Sequence, residues 1–173
     1  MLMTSTTLNM SMMKNSPQLL SYDIASGVRA FSTMRHGGVG EGAYCSFNIN
    51  SYCGDSQENI AANIASLAGT LGIEPTKILL PHQVHGADFC IIAPDFMALS
   101  EEERAKVIEG VDGIFTSMTG VCIGVSTADC IPIIIYDPEH HAACAIHAGW
   151  RGTVKRIASK AVAEMQTTYH SNA

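Results

Sequence analysis

Two histidines and one cysteine, far apart in the chain, are the residues most suited to bind a metal ion. His85 lies in HQVHG, Cys130 in TADCIP and His147 in IHAGWRG, and each stands in a polar break at the end of an apolar run. Three strand ends can meet at one edge of a sheet. Two imidazoles and a thiolate suit Zn²⁺ and leave a fourth position for water, whose pKa the ion lowers from about 16 to about 7. The trio therefore predicts a zinc site that supplies hydroxide at neutral pH.

Other chemistries remain open for the same residues. His82 and His85 have the spacing of a short chelate and form a rival pair. A closed structural zinc site is disfavoured because no Cys-x-x-Cys pair occurs among the six cysteines. Copper is disfavoured as the cofactor because the sequence lacks the additional histidine-rich motifs of a multinuclear copper cluster. Alternatively, Cys130 could be a nucleophile that His147 activates, which would make the protein a cysteine hydrolase.

Arg35 and Asp129 are the candidate catalytic residues outside the trio. Arg35 stands at the mouth of a glycine-rich loop, where its guanidinium and the backbone N–H groups could hold a phosphate. Asp129 precedes Cys130 and, like Asp112, could orient a ligand histidine or transfer a proton. Arg151 follows Trp150 and is expected to stack on that indole. No dinucleotide, nucleoside-triphosphate or serine-hydrolase motif occurs.

Composition narrows the class of protein. The chain has 173 residues, 47% of them hydrophobic, which suits one globular domain with a sizeable core. Its formal charge of -6 disfavours nucleic acid and anionic membrane surfaces as partners. No run approaches the roughly 18 apolar residues of a membrane-spanning helix, and the polar start lacks a secretory signal. We therefore expect a cytoplasmic protein with reduced thiols.

Strand and helix patterns alternate unevenly around the candidate ligands. Apolar residues recur every three or four positions from Ile60 to Leu71 and predict a helix that ends at Gly72. The same spacing from Val154 to Met165 predicts a second, half-buried helix. The segments VDGIFTS, VCIGVSTADC, IPIIIYD and AACAIH are typical of strands. This order predicts an α+β fold rather than a regular series of βαβ units.

Six blocks of the sequence, in the same order, resemble the bacterial laccase-domain family. They are FSTMRHGGVGEGAYCSFNIN, GDSQENIAANIASLAGTLGI, HQVHG, VDGIFTS, VSTADCIPIIIYD and IHAGWRGT, which together extend from about Gly27 to the helix that begins at Thr153. Family members, first named polyphenol oxidases, are assigned as purine nucleoside phosphorylases with adenosine deaminase activity. The resemblance implies an α+β layered sandwich with mixed β-sheets flanked by helices. It also implies a zinc ion held by His85, Cys130 and His147.

The resemblance further implies a transferase and hydrolase whose partners are purine nucleosides and phosphate. Its reactions would be phosphorolysis of adenosine, inosine and methylthioadenosine, and deamination of adenosine. Residues 1–26 are expected to be a disordered or loosely ordered leader, and residues 27–173 a single domain without the family's C-terminal portion. An inactive metal-binding remnant is therefore a further alternative, and the exposed sheet edge could drive self-association.

Overall fold

A computed structural model describes residues 16–172, which form two compact units. One unit contains residues 16–22 and 29–76, and the other contains residues 23–28 and 77–172. None of the described helices is long and apolar enough to cross a membrane. The prediction of a single domain over residues 27–173 stays a prediction.

The first unit consists of a strand pair and one long helix. Its elements are β1 (Leu19–Tyr22), β2 (Ala30–Thr33), a 3-10 turn (Gly42–Tyr44) and α1 (Gln57–Leu71). The predicted helix is confirmed: Ser56 caps it by accepting a hydrogen bond from the Asn59 N–H, and Gly72 ends it in the left-handed conformation with φ 74°. β1 lies inside the segment expected to be a leader and pairs antiparallel with β2, which follows that segment. Residues 1–15 of the segment lie outside the described residues.

The second unit is built on a four-stranded mixed sheet. Its elements are a 3-10 turn (Pro75–Lys77) at the boundary, β3 (Ile78–Leu79), β4 (Phe89–Ile92), α2 (Pro94–Ala98), α3 (Glu101–Val107), β5 (Gly113–Thr116), β6 (Cys122–Ile123), β7 (Ile131–Asp137), β8 (Ala142–Ala148), α4 (Trp150–Val154) and α5 (Ile157–Tyr169). The strand order is β4-β5-β8-β7, with β4 parallel to β5 and the other two pairs antiparallel. β3 and β6 form a separate parallel pair. The α+β prediction with mixed sheets is confirmed.

The two faces of this sheet carry separate hydrophobic clusters because side chains alternate along each strand. One face packs against α5 through Phe115, Cys144, Ile146, Ile157, Ala161 and Met165. The opposite face packs against α2 and the segment after α3 through Leu79, Ile92, Phe96, Ile108, Val111 and Ile114. His147 alternates with Ile146, so its side chain belongs to this second face. The burial of both faces fixes the strand register and thereby the position of His147.

The helix predicted from Val154 to Met165 is interrupted, so that part of the prediction is wrong. α4 ends at Val154, Arg156 adopts a left-handed conformation with φ 61°, and α5 begins at Ile157. The break rotates Val154 away from the core, and this side chain is 76% exposed. The residues from Ile157 to Met165 keep the expected half-buried face.

Strand β7 borders the sheet and has no second strand partner among residues 16–172. Its exposed apolar side chains are Ile131, at 64%, and Ile134, at 43%. An exposed apolar strand edge favours pairing with another polypeptide. Self-association through this edge stays a prediction.

Candidate metal centre

The ligand atoms of His85, Cys130 and His147 converge in the second unit. The two histidine nitrogens and the cysteine sulfur all lie within 4.8 Å of one another. The two imidazole rings meet edge to face, with their centroids 4.7 Å apart and their planes at 80°. Side chains separated by up to 62 residues of sequence therefore form one cluster of nitrogen and sulfur donors.

Strand β8 and a buried carboxylate hold His147. The residue is 3% exposed and lies one position before the end of β8, where its backbone N–H donates to the Asp112 carbonyl at 2.8 Å. Its Nδ1 lies 2.7 Å from Oδ1 of Asp112. Because the carboxylate engages Nδ1, Nε2 is the nitrogen left for a metal ion, as is common for metal-bound histidines.

Asp112 also organises the loop that carries His85. Its carboxylate accepts hydrogen bonds from the backbone N–H groups of Val84 at 3.2 Å, His85 at 3.0 Å and Gly86 at 2.7 Å. The residue is fully buried, and such a carboxylate is stable only when it is well supplied with donors. Asp112 therefore links the two histidines, which agrees with its predicted role in orienting a ligand histidine.

The loop of residues 82–86 is anchored at its start and strained at its end. The His82 N–H donates to the Ile108 carbonyl, and the His82 carbonyl accepts from the Gly110 N–H. His85 adopts a left-handed conformation with φ 60°, which is uncommon for residues other than glycine. The three hydrogen bonds to Asp112 offset that strain and place the His85 side chain beside Cys130 and His147.

Cys130 closes the site from the loop between β6 and β7. Its Sγ lies 3.9 Å from Oδ1 of Asp129, and β7 begins at the next residue. The same loop is held by Gln83, whose Nε2 donates to the Ser126 carbonyl and whose Oε1 accepts from the Ser126 N–H, both at 2.7 Å. Gln83 was not among the predicted site residues. The available signal was its position two residues before a candidate ligand.

Two glycines after His147 allow the backbone to approach the ligands closely. A Cβ atom at Gly149 would lie 2.7 Å from Cδ2 of His85 and 3.5 Å from Sγ of Cys130. A Cβ atom at Gly152 would lie 2.7 Å from the Gly86 carbonyl oxygen. The HAGWRG sequence thus supplies one ligand and also leaves room for the other two.

The donor set fits a zinc ion. A tetrahedral Zn²⁺ ion places its nitrogen and sulfur ligand atoms about 3.3 to 3.7 Å apart. The three ligand atoms here all lie within 4.8 Å of one another, a limit that includes those distances. Two imidazoles and a thiolate are a ligand set of catalytic zinc sites, and a carboxylate on the second nitrogen of a ligand histidine is a common support. The residues present are therefore able to hold the ion.

The remaining candidates lie in different places. Asp129 is exposed and adjacent to Cys130, whereas Arg35 belongs to the first unit, where its Nε and Nη2 donate to the Cys45 carbonyl at 3.2 and 2.8 Å. His82 is not part of the convergent group, and its Nδ1 lies 2.5 Å from Oε1 of Glu109. The Arg151 guanidinium lies 4.6 Å from the Trp150 ring centroid, as expected from stacking.

A family model described as multi-copper polyphenol oxidoreductase laccase matches residues 29–173. This chain belongs to that family. Among curated relatives, it is 37% identical over 144 residues to a purine nucleoside phosphorylase of Bacteroides thetaiotaomicron, covering 83% of this chain and 53% of that protein. It is 40% identical over 139 residues to adenosine deaminase RL5 from an unidentified prokaryote, covering 80% and 53%.

Solved structures share the fold of this family member. YlmD from Geobacillus stearothermophilus superposes with a TM-score of 0.77 at 33% identity, covering 84% of this chain and 54% of that chain. YfiH from Bacillus licheniformis gives a TM-score of 0.79 at 24% identity, covering 89% and 57%, which supports the fold alone. The chain spans about half the length of the curated relatives it matches. The predicted family membership is confirmed, while the identity of the metal stays a prediction.

Proposed function

We propose that this protein is a zinc-dependent purine nucleoside phosphorylase with adenosine deaminase activity, located in the cytoplasm. The observation that carries the proposal is the convergence of His85, Cys130 and His147, with His147 fixed by the buried carboxylate of Asp112. The names of the relatives, which include both activities, support the substrate class. Adenosine, inosine and methylthioadenosine are the proposed nucleosides.

The side chains of the site would bind and orient the ion. His85, Cys130 and His147 would hold zinc, which supplies a Lewis acid able to make hydroxide available near neutral pH. The Asp112 carboxylate would accept a hydrogen bond from Nδ1–H of His147 and so leave the lone pair of Nε2 to bind the ion. Asp129, exposed beside Cys130, would move a proton to the leaving group during deamination. Among the three proposed ligands, His147 is buried, Cys130 is partly buried and His85 is exposed, so the site is open to solvent at His85; proton transfer is assigned to exposed Asp129.

Arg35 would hold phosphate for the phosphorolysis reaction. Its hydrogen bonds to the Cys45 carbonyl orient the guanidinium within the glycine-rich loop, and the proposal assigns the phosphate to this loop. The variant Arg35→Gln should raise the KM for phosphate about tenfold or more and leave deamination nearly unchanged. Arg29→Gln, which removes an exposed arginine of the same unit, is the matched control. Equal loss of both activities in Arg35→Gln would contradict this assignment.

The metal content and the adenosine turnover of Cys130→Ala test the central proposal. The wild-type protein should carry about one zinc and consume adenosine both with and without phosphate, whereas Cys130→Ala should lose both the metal and the turnover. Zinc without turnover in the wild type would indicate an inactive metal-binding remnant. An absence of zinc in the wild type would overturn the ligand assignment.

The order of Cys130, His147 and Asp112 supports a second candidate function, that of a cysteine hydrolase. A thiol, an imidazole and a carboxylate in this order are the parts of a nucleophilic triad. Alkylation with iodoacetamide after chelation separates the two functions. An activity that survives chelation and is then lost on alkylation depends on a thiol and does not depend on zinc. Cys144 is the internal control, since its burial raises the pKa of its thiol and keeps it unreactive.

A further inference from the structure

Gln83 connects the two loops that carry metal ligands. Its side-chain amide forms a pair of hydrogen bonds with the backbone of Ser126, one from Nε2 to the carbonyl and one from the N–H to Oε1, both at 2.7 Å. Gln83 stands two residues before His85, and Ser126 stands four residues before Cys130. The pairing resembles the exchange of two hydrogen bonds between neighbouring strands, although one partner is a side chain.

The two loops differ in how firmly the rest of the unit holds them. Residues 82–86 are fixed by the backbone bonds of His82 and by the three bonds to the Asp112 carboxylate. Gly124 donates to the Leu79 carbonyl at 3.0 Å, and β7 begins at Ile131. Between these points, Gln83 supplies the hydrogen bonds that tie residues 125–130 to another segment of the described chain.

We propose that Gln83 is a positioning residue that sets the distance of the Cys130 thiol from the two histidines. Because residues 82–86 are firmly held, the hydrogen bonds of the Gln83 amide would fix the position of residues 125–130 relative to them. Thr127, Ala128 and Asp129 are exposed, so these three side chains offer little packing that could replace the Gln83 amide. A loop released from Gln83 would occupy several conformations, and the apparent metal affinity falls with the fraction that is competent to bind. This role of Gln83 depends on metal binding by His85, Cys130 and His147, which is part of the proposed function, and does not depend on the nucleoside reactions.

Three variants separate this role from a general effect on folding. Gln83→Met keeps the length of the side chain and removes both hydrogen bonds, whereas Gln83→Glu keeps the acceptor and turns a carboxylate oxygen toward the Ser126 carbonyl. Ser126→Ala is the matched control, because both bonds go to the Ser126 backbone and should survive. Thermal unfolding of the metal-free proteins should show whether each variant retains the fold.

Three measurements report on the loop without enzymatic activity. Zinc affinity is measured by competition with a chelator, and the cobalt-substituted protein reports the thiolate through its sulfur-to-metal charge-transfer band. Amide hydrogen exchange of the metal-free protein, followed by NMR, reports whether the Ser126 N–H is bonded. We expect Gln83→Met and Gln83→Glu to bind zinc about 10 to 100 times more weakly, to exchange the Ser126 amide faster and to weaken the cobalt–thiolate band. Ser126→Ala should match the wild type in all three.

Wild-type zinc affinity in a folded Gln83→Met variant would overturn the proposal, and so would a wild-type protein that binds no zinc. If Gln83→Met is too unstable to study, Gln83→Glu decides the question by the same measurements. Weakened zinc binding in these variants together with an absence of nucleoside turnover in the wild type would support the role of Gln83 and contradict the proposed function. The two failures are therefore distinguishable.

Discussion

Two histidine-bearing segments of the second unit are built alike, yet only one of the two contributes a side chain to the candidate metal centre. The ligand loop, residues 82–86, contains His85 with φ 60°, and the hairpin turn between β7 and β8, residues 138–141, contains His141 with φ 53°. Each segment donates backbone N–H groups to one carboxylate, Asp112 for the ligand loop and Asp137 for the hairpin turn. Each carboxylate also bonds a histidine Nδ1 at 2.7 Å.

The difference lies in the origin and burial of the partners. In the hairpin turn, Asp137 accepts backbone hydrogen bonds from residues two and three positions ahead, and its side chain is 10% exposed beside a His140 side chain that is 33% exposed. At the ligand loop, Asp112 bonds residues that lie 26 to 35 positions from it in the sequence. Both Asp112 and His147 are almost fully buried. A strained histidine beside a carboxylate therefore does not identify a site. What distinguishes the candidate metal centre is that donors distant in the sequence converge on a buried carboxylate.

The largest expected effect is the loss of zinc affinity when the His147 side chain is removed. His147→Ala should weaken zinc binding by at least about 10³-fold, because two remaining protein ligands bind the ion poorly. His140→Ala removes a histidine with the same carboxylate geometry and should leave zinc binding unchanged. Isothermal titration with zinc measures both. A comparable loss in His140→Ala would show that the hairpin turn also contributes to metal binding.

The second-largest expected effect is a difference between Asp112 and Asp137 in how much each carboxylate contributes to the free energy of unfolding. Asp112→Asn keeps the volume of the side chain but places an NH₂ group among donors, so it should lower the free energy of unfolding by about 2–4 kcal/mol and weaken zinc binding about 10- to 100-fold. Asp137→Asn has the same chemistry at a turn where the partner histidine is 33% exposed, so it should cause a smaller loss of stability, with no change in zinc binding.

Chemical denaturation of the metal-free proteins, followed by chelator competition, measures both quantities. An equal loss of stability in the two variants would show that burial does not distinguish the carboxylates. Unchanged zinc binding in Asp112→Asn would show that the orientation of His147 does not depend on the carboxylate charge.

The convergence of Cys130 and His147 could be predicted from the sequence because both stand at adjacent ends of the paired strands β7 and β8. His85 instead lies in the loop between β3 and β4, which its hydrogen bond to Asp112 brings to the same place. Helix α1 could be predicted because its cap, its periodicity and its terminal glycine are all local signals. Asp112 was recognised only as a candidate, since its role depends on three backbone N–H groups that converge when His85 adopts a left-handed conformation. The residue types around His85 in the sequence do not indicate that this histidine adopts a left-handed conformation.

Two features could not be predicted for a common reason. Gln83 pairs with a backbone 43 residues away, and a backbone partner leaves no trace in the identity of the residue there. The helix break at Arg156 likewise depends on tertiary packing, because the apolar spacing continues through it. The sequence favoured a continuous helix, so it placed Val154 on the buried face.

The smallest expected effects concern the strain of the two left-handed histidines. Glycine adopts this conformation without the steric cost of about 1–2 kcal/mol that other residues carry. His141→Gly relieves that cost but loses the 3.0 Å hydrogen bond between Nδ1 and the Tyr136 hydroxyl, so the free energy of unfolding should change by less than about 1 kcal/mol. His85→Gly keeps the backbone bonds to Asp112 and should also leave the metal-free protein within about 1 kcal/mol of the wild type.

Zinc affinity should nevertheless separate these two variants, because only His85→Gly removes a ligand. Denaturation of the metal-free proteins and chelator competition test the pair. A large loss of stability in metal-free His85→Gly would mean that the His85 side chain itself holds the loop in place. Near-wild-type stability with lost zinc affinity would mean that Asp112 imposes the left-handed turn and that the imidazole is retained there for the metal.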